Sequence, residues 1–386
     1  MPKYAPSDRR PKILYYWPNG VMYETHLFKD PGEIPTHLAR LGYETITVIH
    51  EKAFVSKGAW QRTYEIGFIK PGEGAPNPLR TVQYFIRTNV ILFKILKTEK
   101  PDIIVVQYLP LAQMPALAFY KALRRLIEGV KVKVIAKLDT DGSFAQGPLN
   151  LTKLYHSLLS VFIDKATVET PCAYERIVKS LALRVLAKKL KVMPNGVPDD
   201  VAALEPRASR ERSILFAGQL IYRKGLDVLI RALVRLKASG VLRGWKVIIV
   251  GPYADPVYSD LMRKYVKLSG LEDLIELRGD VPREELLRLY SSSCVFVLPT
   301  RGEGSPLVLT EAPAMGLRVI TTEAVCKKFF EKLGARIVKV DDVEGLARSI
   351  AVSIELCEKY GPDLTASMAT RLGLAWNNLV KKLMEP

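Results

Sequence analysis

The segment TRGEGSPLVLTEAPAMG at residues 300–316 has the composition of an anion-binding turn. Ser305 is a favoured N-cap residue and Pro306 a favoured first helical residue, which predicts a helix that begins there and ends before Gly316. A helix start leaves backbone N–H groups without intrahelical partners, and its dipole attracts negative charge such as a phosphate. The amides predicted to be free for this purpose are those of Gly304, Ser305 and Leu307.

Two carboxylates flank this expected helix start. Glu303 lies in the approaching loop, and Glu311 lies between one and two turns into the predicted helix. Carboxylates at such positions can accept hydrogen bonds from sugar hydroxyls. The same pattern is also typical of a solvated loop glutamate and a surface helix acid, and the pair by itself does not decide between these interpretations.

A second candidate is AGQLIYRKGLD at residues 217–227, which connects a predicted strand to a predicted helix and carries adjacent Arg223 and Lys224. At the carboxyl edge of a parallel sheet these cations could neutralise a diphosphate. The segment lacks the G-x-x-x-x-G-K-[ST] pattern, and neither PGEGAPN (71–77) nor RGEGSPL (301–307) completes G-x-G-x-x-G. The sequence therefore disfavours a P-loop NTPase and a dinucleotide dehydrogenase. A solvated cationic cluster at a helix start is the alternative.

A third candidate, LDTDG at residues 138–142, directly follows a predicted strand. Asp139 and Asp141 form a D-x-D motif whose oxygens could hold Mg²⁺ or Mn²⁺ on a nucleotide diphosphate. A turn with Asx hydrogen bonds explains the same residues equally well. Either way, the loop is expected at the edge of the first sheet where substrates bind.

The four histidines and four cysteines show no spacing typical of a metal site. No two histidines are four residues apart, and no C-x-x-C pair occurs. The sequence thus predicts neither structural zinc nor disulfides, and it favours a reducing, cytoplasmic setting. His26, in a loop of the first half, is the histidine most suited to contact a substrate.

Short apolar runs alternate with helical patterns along the whole chain, which predicts parallel βαβ units. The length of 386 residues accommodates two such sheets. The segment MPNGVPDD at residues 193–200 interrupts the pattern and is the expected boundary. We therefore expect an α/β chain with a domain at 1–195 and another at 196–369. A final helix at about 370–386 could pack against the first domain.

The net charge of +17 favours an anionic partner. Residues 1–197 contain 29 basic and 16 acidic side chains, whereas residues 198–386 contain 28 and 24, so most of the excess lies in the first half. The uncharged stretch at 103–120 contains two prolines, and it is interpreted as a strand, a loop and a helix start rather than a membrane span.

Five motifs of the second half occur in an order that resembles the retaining nucleotide-sugar glycosyltransferases of family 4, also called glycosyl transferases group 1. They are PNGV (194–197), FAGQLIYRKGLD (216–227), VGP (250–252), LRGDVPREELLRLYSSSCVFVLPT (277–300) and EGSPLVLTEAPAMGLRVI (303–320). The last contains the E-x7-E of that family, while the first half matches only in outline. The resemblance implies a GT-B fold, in which two doubly wound Rossmann-like domains face each other across a cleft.

The resemblance also implies roles for individual residues. Lys224 and Arg223 would bind the donor diphosphate, Glu303 the transferred sugar and Glu311 the ribose hydroxyls. The remaining donor contacts would come from Gly218, Gln219, Gly251, Arg278, Val281, Gly304, Ser305 and Leu307. Glu303, Lys224 and Asp139 are the catalytic candidates. The acceptor-side candidates are Gly20, His26 and Asp141.

One position departs from the family pattern, because Gln219 stands where an arginine is usual. The absence of that arginine removes one charge-assisted contact to the leaving diphosphate, and Arg223 could make this contact instead. The resemblance implies a reaction with net retention that requires no metal or other cofactor. Two alternatives stay open, a metal-dependent transferase that uses Asp139 and Asp141, and a binding subunit without turnover.

The expected partners are a nucleotide-sugar donor and a saccharide or lipid-linked acceptor. The charge of residues 1–197 predicts peripheral contact with an anionic membrane at its cytoplasmic face. Nucleic acid is not expected as a partner, since no module that interleaves aromatic and basic residues is visible.

Overall fold

The computed structural model describes residues 10–18, 21–52, 62–67, 78–108, 113–147 and 151–385. The chain divides into two compact units, of which the first comprises residues 1–194 together with 376–386 and the second residues 195–375. Each unit is an α/β structure built on a parallel sheet. The α/β fold class expected from the alternating sequence pattern is therefore confirmed.

The first unit contains a seven-stranded sheet of order β5-β3-β1-β6-β7-β8-β9 in which every pair of neighbours is parallel. Its central strands are apolar runs that are buried along their whole length, as expected for strands covered on both faces. The strands of this unit are β1 (Lys12–Tyr16), β2 (Val21–Met22), β3 (Glu44–Ile49), β4 (Glu51–Lys52), β5 (Arg62–Glu65), β6 (Ile103–Gln107), β7 (Lys133–Leu138), β8 (Lys165–Val168) and β9 (Leu190–Val192), with β2 and β4 forming a separate pair.

The helices of the first unit connect these strands. Helix α5 shows why such segments are helical, since Thr170 caps its amino end by accepting from the amide of Ala173, and Pro171 occupies its first position. Among the described residues, the helices that precede the boundary are α1 (Asp30–Arg40), α2 (Pro78–Glu99), α3 (Met114–Glu128), α4 (Leu151–Leu159), α5 (Pro171–Val178) and α6 (Arg184–Ala187).

The second unit contains a six-stranded, fully parallel sheet of order β12-β11-β10-β13-β14-β15. The order reverses at β10, and the carboxyl ends of strands at such a switch point form the usual ligand crevice of open α/β sheets. The strands are β10 (Ser213–Ala217), β11 (Lys246–Val250), β12 (Ile275–Gly279), β13 (Val295–Leu298), β14 (Arg318–Thr322) and β15 (Arg336–Val338).

Helices cover the sheet of the second unit. The apolar face predicted for residues 226–240 is confirmed, because its five leucine and isoleucine side chains are buried in the core of this unit. The helices are α7 (Asp199–Ala202), α8 (Leu226–Ala238), α9 (Pro256–Leu268), α10 (Arg283–Ser292), α11 (Val308–Ala314), α12 (Lys327–Lys332), α13 (Val343–Tyr360) and α14 (Leu364–Gly373).

The last helix, α15 (Trp376–Met384), belongs to the first unit and packs against α1. Trp376 is buried beside the ring of His37. The Lys165 ammonium donates to the carbonyl oxygens of Lys382 and Glu385, at 2.7 and 2.9 Å. A lysine in this position satisfies carbonyl groups at the carboxyl end of the helix and complements its dipole.

Cys294 and Cys357 form a disulfide in the second unit, with Cα atoms 6.3 Å apart, so the prediction that disulfides are absent was wrong. The two residues are 63 positions apart, and only the packing of α13 beside the start of β13 brings them together.

Residues 103–107 are a strand and α3 begins at residue 114, as interpreted. None of the described helices combines the length and apolar composition that a bilayer crossing requires.

Candidate active site

Two cations and one carboxylate converge beside the carboxyl ends of β10 and β13. The Lys224 ammonium lies 2.5 Å from Glu303 Oε1, and the Arg223 guanidinium contacts the same oxygen. Arg223 also donates to the carbonyl oxygen of Gly302 at 2.7 Å. The side chains of Lys224 and Glu303 are each 11% exposed, so their ion pair is largely buried, whereas Arg223 is 48% exposed and opens the site to solvent on one side. The structure thus brings together three residues that the sequence singled out separately.

Two glycines permit the close approach of the segments that carry these side chains. Gly225 has φ of +73°, and a Cβ atom there would overlap the carbonyl group of Pro299. Gly251 has φ of +138°, and a Cβ atom there would overlap the carbonyl group of Gly218. Positive φ values of this kind are accessible to glycine with little strain. The loops after β10, β11 and β13 can therefore lie against one another.

Helix α11 begins later than predicted. Its first residue is Val308 and its N-cap residue is Leu307, so the predicted N-cap role of Ser305 is wrong. The reason lies in the first turn, where Leu309 donates to Pro306 and Thr310 to Leu307 in the tighter i→i+3 pattern. Within the described part of the chain the structure gives no hydrogen-bond partner to three of the amides in this turn, those of Gly304, Ser305 and Leu307.

Glu311 lies in the first turn of α11 and is only 1% exposed, so the interpretation as a surface acid is wrong. Tyr290 donates its hydroxyl to Glu311 Oε2 at 2.9 Å, and an Arg283 nitrogen lies 2.7 Å from Oε1. Arg283 also binds Asp200 through two hydrogen bonds of 2.7 and 3.0 Å. Burial opposes the charge of Arg283, but Asp200 and Glu311 raise the pKa of Arg283 above its usual value.

Sequence reasoning missed Arg283 and Tyr290. One signal was present, because Arg283 is the first residue of α10, where a cation opposes the helix dipole. An arginine at such a position indicates that a carboxylate compensates for it. Here the compensating groups are Asp200 and Glu311, which are far away in sequence.

The other donor-side candidates lie at the same edge of the second sheet. Gln219 is exposed in the loop after β10. The Gly251 amide donates to the carbonyl oxygen of Gly279 at 2.7 Å, which links the ends of β11 and β12. Arg278 is paired with Glu276 at 2.9 Å and Glu285 at 2.6 Å. The partly buried Val281 packs against the core of this unit.

In the first unit, Asp139 belongs to a buried ionic cluster. Lys137, which is fully buried on β7, places its ammonium 2.6 Å from Asp139 Oδ1 and 3.6 Å from Glu169 Oε1. The same ammonium contacts Asp30 Oδ2 at the start of α1. Gln107, the last residue of β6, donates its side-chain amide to Asp139 Oδ2. We call Lys137, Asp30, Asp139 and Glu169 the Lys137 cluster.

The Lys137 cluster holds three carboxylates around one ammonium, so its formal charge is negative when all four groups are ionised. Burial, together with the charge of Asp139, raises the pKa of Asp30 to about 6, against the attraction of Lys137. Burial also opposes the charge of Lys137, but the carboxylates raise the pKa of Lys137 well above its usual value. The carboxylate oxygens of the cluster lie within 4.8 Å of one another, a separation that could hold a metal ion.

The second aspartate of the D-x-D motif has different partners. Asp141 Oδ1 accepts from the amide of Ser143 at 2.9 Å, which is an Asx turn, and Oδ2 lies 3.2 Å from an Arg176 nitrogen. Burial opposes ionisation, but Ser143 and Arg176 lower the pKa of Asp141. The two carboxylates therefore bind separate cationic side chains.

A cavity of about 860 Å³ lies beside Arg176 in the first unit. Its lining is rich in positive charge. The charged side chains that line it are Lys153, Glu175, Arg176 and Lys179.

Two acceptor-side candidates complete the set. His26 Nδ1 accepts from the amide of Tyr23 at 2.9 Å, and its ring lies 5.1 Å from that of Trp17. Burial and the nearby Lys29 lower the pKa of His26, so the imidazole is held in its neutral form. Gly20 lies outside the described residues.

Part of the chain is similar to known glycosyltransferases. Residues 211–355 match the family described as Glycosyl transferases group 1. A putative colanic acid biosynthesis glycosyltransferase, WcaL, of Salmonella typhimurium is 34% identical over 115 residues, which cover 28% of this chain and 27% of that protein. The GDP-mannose:cellobiosyl-diphosphopolyprenol alpha-mannosyltransferase of Xanthomonas campestris is 26% identical over 278 residues, 69% of this chain and 70% of that protein.

The fold is shared with solved glycosyltransferase structures. A glycosyltransferase from Rickettsia africae superposes with a TM-score of 0.73 over 97% of this chain and 96% of that chain, at 16% sequence identity. Several curated relatives are matched over only 27% to 53% of their length. The resemblance noted in the motifs of the second half is confirmed for residues 211–355, which match the group 1 glycosyltransferase family, and the fold is the GT-B fold of solved glycosyltransferases.

Proposed function

We propose that this chain is a retaining glycosyltransferase, which moves a sugar from a nucleoside diphosphate sugar to a hydroxyl group of an acceptor. The observation that carries the proposal is the convergence of Lys224, Arg223 and Glu303 at the switch point of the second sheet. This convergence lies inside the segment that matches the group 1 family. Two cations next to one carboxylate suit a ligand that joins a diphosphate to a sugar.

Lys224 and Arg223 bind the donor diphosphate in this proposal. Both contact Glu303, and an incoming diphosphate competes with that carboxylate for them. Glu303 is then released to accept hydrogen bonds from the transferred sugar. The unpartnered amides of Gly304, Ser305 and Leu307 supply further donors to the phosphate oxygens.

Glu311 binds the ribose hydroxyls of the donor. Its carboxylate is fixed by Arg283 and Tyr290, so its position costs little additional ordering when the ligand arrives. Backbone groups near Gly251, Arg278 and Val281 hold the base, since they lie at the ends of β11 and β12 beside the same crevice.

The reaction breaks the bond between the anomeric carbon and the oxygen of the β-phosphate. Negative charge grows on that phosphate while the sugar becomes oxocarbenium-like. Lys224 and Arg223 stabilise the leaving diphosphate because they are in place before the charge develops. The acceptor hydroxyl enters on the same face, forms the new bond and gives its proton to the departing phosphate, which accounts for retention.

We further propose that the reaction needs neither a metal nor another cofactor. The charge of the leaving group is already met by Lys224 and Arg223. Asp139 and Asp141 bind different cationic side chains, which speaks against a shared cation between them. Asp139, anchored by Lys137 and Gln107, acts on the acceptor side, with His26 and Asp141 as further acceptor contacts.

The first unit binds the acceptor, for which a lipid-linked saccharide is the best candidate. The Xanthomonas campestris relative is named for a diphosphopolyprenol substrate. The cavity beside Arg176, with Lys153 and Lys179 in its lining, offers positive charge to an anionic group of such an acceptor. The excess of basic residues in positions 1–197 agrees with this assignment.

Peripheral contact with an anionic membrane would bring the enzyme to such an acceptor. Residues 79–98 of α2 contain four basic and no acidic side chains. Leu79, Val82, Ile86 and Val90 are 72%, 54%, 55% and 48% exposed on this helix. An exposed apolar face next to lysine and arginine is typical of helices that lie in a membrane interface.

The experiment that tests the function is a thermal-shift screen of the protein against UDP, GDP, ADP and their sugars, followed by transfer assays with each ligand that binds. A true donor raises the melting temperature by mass action and is transferred or hydrolysed.

We expect turnover to survive EDTA. Loss of turnover in EDTA would support a metal-dependent transferase. Binding of a nucleotide sugar with no transfer or hydrolysis would support a binding subunit, which Gln219 makes a specific alternative.

The membrane contact is tested by sedimentation with phosphatidylglycerol and phosphatidylcholine vesicles at low salt. We expect binding to the anionic vesicles alone, and a loss of binding in the double variant Val82→Asp, Ile86→Asp. Leu268→Asp on α9 is the matched control, because Leu268 is 87% exposed in the second unit. Equal binding of both variants would contradict the assignment of the contact to α2.

A further inference from the structure

Arg301 lies two residues before Glu303 and makes an unusual number of contacts for a loop side chain. Its guanidinium nitrogens lie 2.9 and 2.7 Å from the two carboxylate oxygens of Asp227, in a bidentate arrangement. The Nε atom donates to Asp341 Oδ1 at 2.8 Å. The side chain is only 12% exposed.

These contacts join the two loops that carry the diphosphate and sugar ligands. Arg301 donates from its backbone amide to the carbonyl oxygen of Arg223 at 2.7 Å and from its side chain to that of Tyr222 at 2.6 Å. Its guanidinium carbon lies 3.8 Å from the centre of the Tyr222 ring. The loop before Lys224 is therefore tied to the loop before Glu303 by hydrogen bonds and by stacking.

The positive charge of Arg301 is balanced by carboxylates of the protein itself. Asp227 and Asp341 together supply two carboxylates to one guanidinium. Tyr258 also donates to Asp227 at 2.8 Å, so this carboxylate is held from a second helix. Arg301 has no free charge to offer to a diphosphate, in contrast to the half-exposed Arg223. Its effect on a ligand must pass through the residues that it holds in place.

We propose that Arg301 is the positioning residue of the donor site, which fixes Lys224 and Glu303 relative to each other by clamping their loops to Asp227 and Asp341. The proposal deepens the proposed function and rests on it for its catalytic part. A planar guanidinium with a fixed fork holds two loops in one geometry, whereas a lysine in the same place supplies only a point charge. Displacement of reacting groups by about 1 Å is enough to lower a rate roughly 100-fold.

The test uses Arg301→Lys, with Arg231→Lys as the matched control. Arg231 also pairs with Asp227, at 3.3 Å, but from within α8. The first readout is amide hydrogen exchange of the ligand-free full chain. We expect faster exchange in segments 219–225 and 299–307 for Arg301→Lys and unchanged exchange for Arg231→Lys. Unchanged exchange in Arg301→Lys would overturn the proposal whether or not the protein is an enzyme.

The second readout is steady-state kinetics with the donor that the ligand screen identifies. We expect Arg301→Lys to lower kcat about 10-fold to 100-fold, with the donor KM changed less than about threefold, because alignment rather than affinity is lost. A raised KM with normal kcat would overturn the positioning role. Asp341→Asn removes one carboxylate partner of Arg301 and leaves the pair with Asp227 in place. It should lower kcat in the same way but by a smaller factor, and it supplies the test if Arg301→Lys misfolds. If the wild type transfers no donor, the proposed function fails and the exchange readout still decides on the clamp.

Discussion

Each unit of this protein pairs a lysine with a carboxylate near the end of a parallel strand, but the two pairs differ in their surroundings. Lys137 in the first unit is completely buried and contacts three carboxylates. Lys224 in the second unit keeps 11% of its side chain exposed, and its one carboxylate partner is Glu303 within the described residues. The first ammonium is enclosed among several carboxylates, whereas the second shares a single carboxylate with the half-exposed Arg223.

This difference in surroundings decides whether a ligand can replace the carboxylate partner of each lysine. A buried ammonium that balances several carboxylates cannot leave without exposing uncompensated charge. Lys224 is balanced by one carboxylate, which it shares with Arg223, so an incoming diphosphate can replace Glu303 without leaving the ammonium unpaired. The Lys137 cluster therefore stabilises the first unit and fixes Asp139 in place, whereas the lysine and carboxylate of the second unit are available to bind a ligand.

The largest expected effect is on stability. Lys137→Met should lower the free energy of unfolding of the first unit by about 3–5 kcal/mol, because it leaves buried carboxylates without their cation. Lys224→Met, the same change in the other pair, should cost less than Lys137→Met, because Arg223 still pairs with Glu303 after the change. Thermal and urea unfolding of both variants measures the contrast. Equal destabilisation would break the distinction between the two pairs.

The second prediction concerns turnover. Lys224→Met should reduce kcat for sugar transfer about 100-fold to 1,000-fold, as expected when one preorganised charge is removed from the leaving group. The circular dichroism spectrum should stay that of the wild type. Glu311→Ala should also reduce transfer strongly. Normal turnover in both variants would refute the assignment of the donor site.

The third prediction concerns how Gln219 affects binding of the donor diphosphate in the second unit. Gln219→Arg supplies the charge that the family usually has, and Gln219 is exposed in the loop next to the Lys224 pair. We expect about tenfold tighter binding of the nucleoside diphosphate, or ~1.4 kcal/mol, measured by calorimetry. Gln219→Lys is the control for charge without the bidentate fork. Weaker binding in Gln219→Arg would show that the loop geometry has no room for this ligand.

The smallest expected effect is a pH dependence of the Lys137 cluster. The pKa of Asp30 is raised to about 6, so the folded state takes up a proton more readily than the unfolded chain. The free energy of unfolding, measured relative to Asp30→Asn, should therefore increase as the pH falls from 7 to 5, by on the order of 1 kcal/mol. Urea titrations at both pH values measure it. A decrease over this range would contradict the described charge balance.

Much of the fold could be predicted from local sequence. Apolar runs such as 103–107 are strands because their side chains are buried on both faces of a parallel sheet. The periodic face of 226–238 is helical for an equally local reason. The start of α11 could not be placed in this way, since the first turn adopts i→i+3 bonds in spite of a favoured N-cap residue at Ser305.

The functional site also has features that local sequence predicts and features that depend on tertiary contacts. The sequence by itself determined the residue types at the ends of the strands, including Lys224, Glu303 and Asp139, since motif spacing depends on neighbours in the chain. Only the tertiary structure decided their partners. Glu311 is buried against Arg283 and Tyr290, and Asp139 is held by Lys137, whose ammonium also contacts Asp30 at the start of α1 and Glu169 in the loop after β8. Burial and charge balance depend on groups that are distant in sequence, and packing alone brings them within a few ångströms of one another.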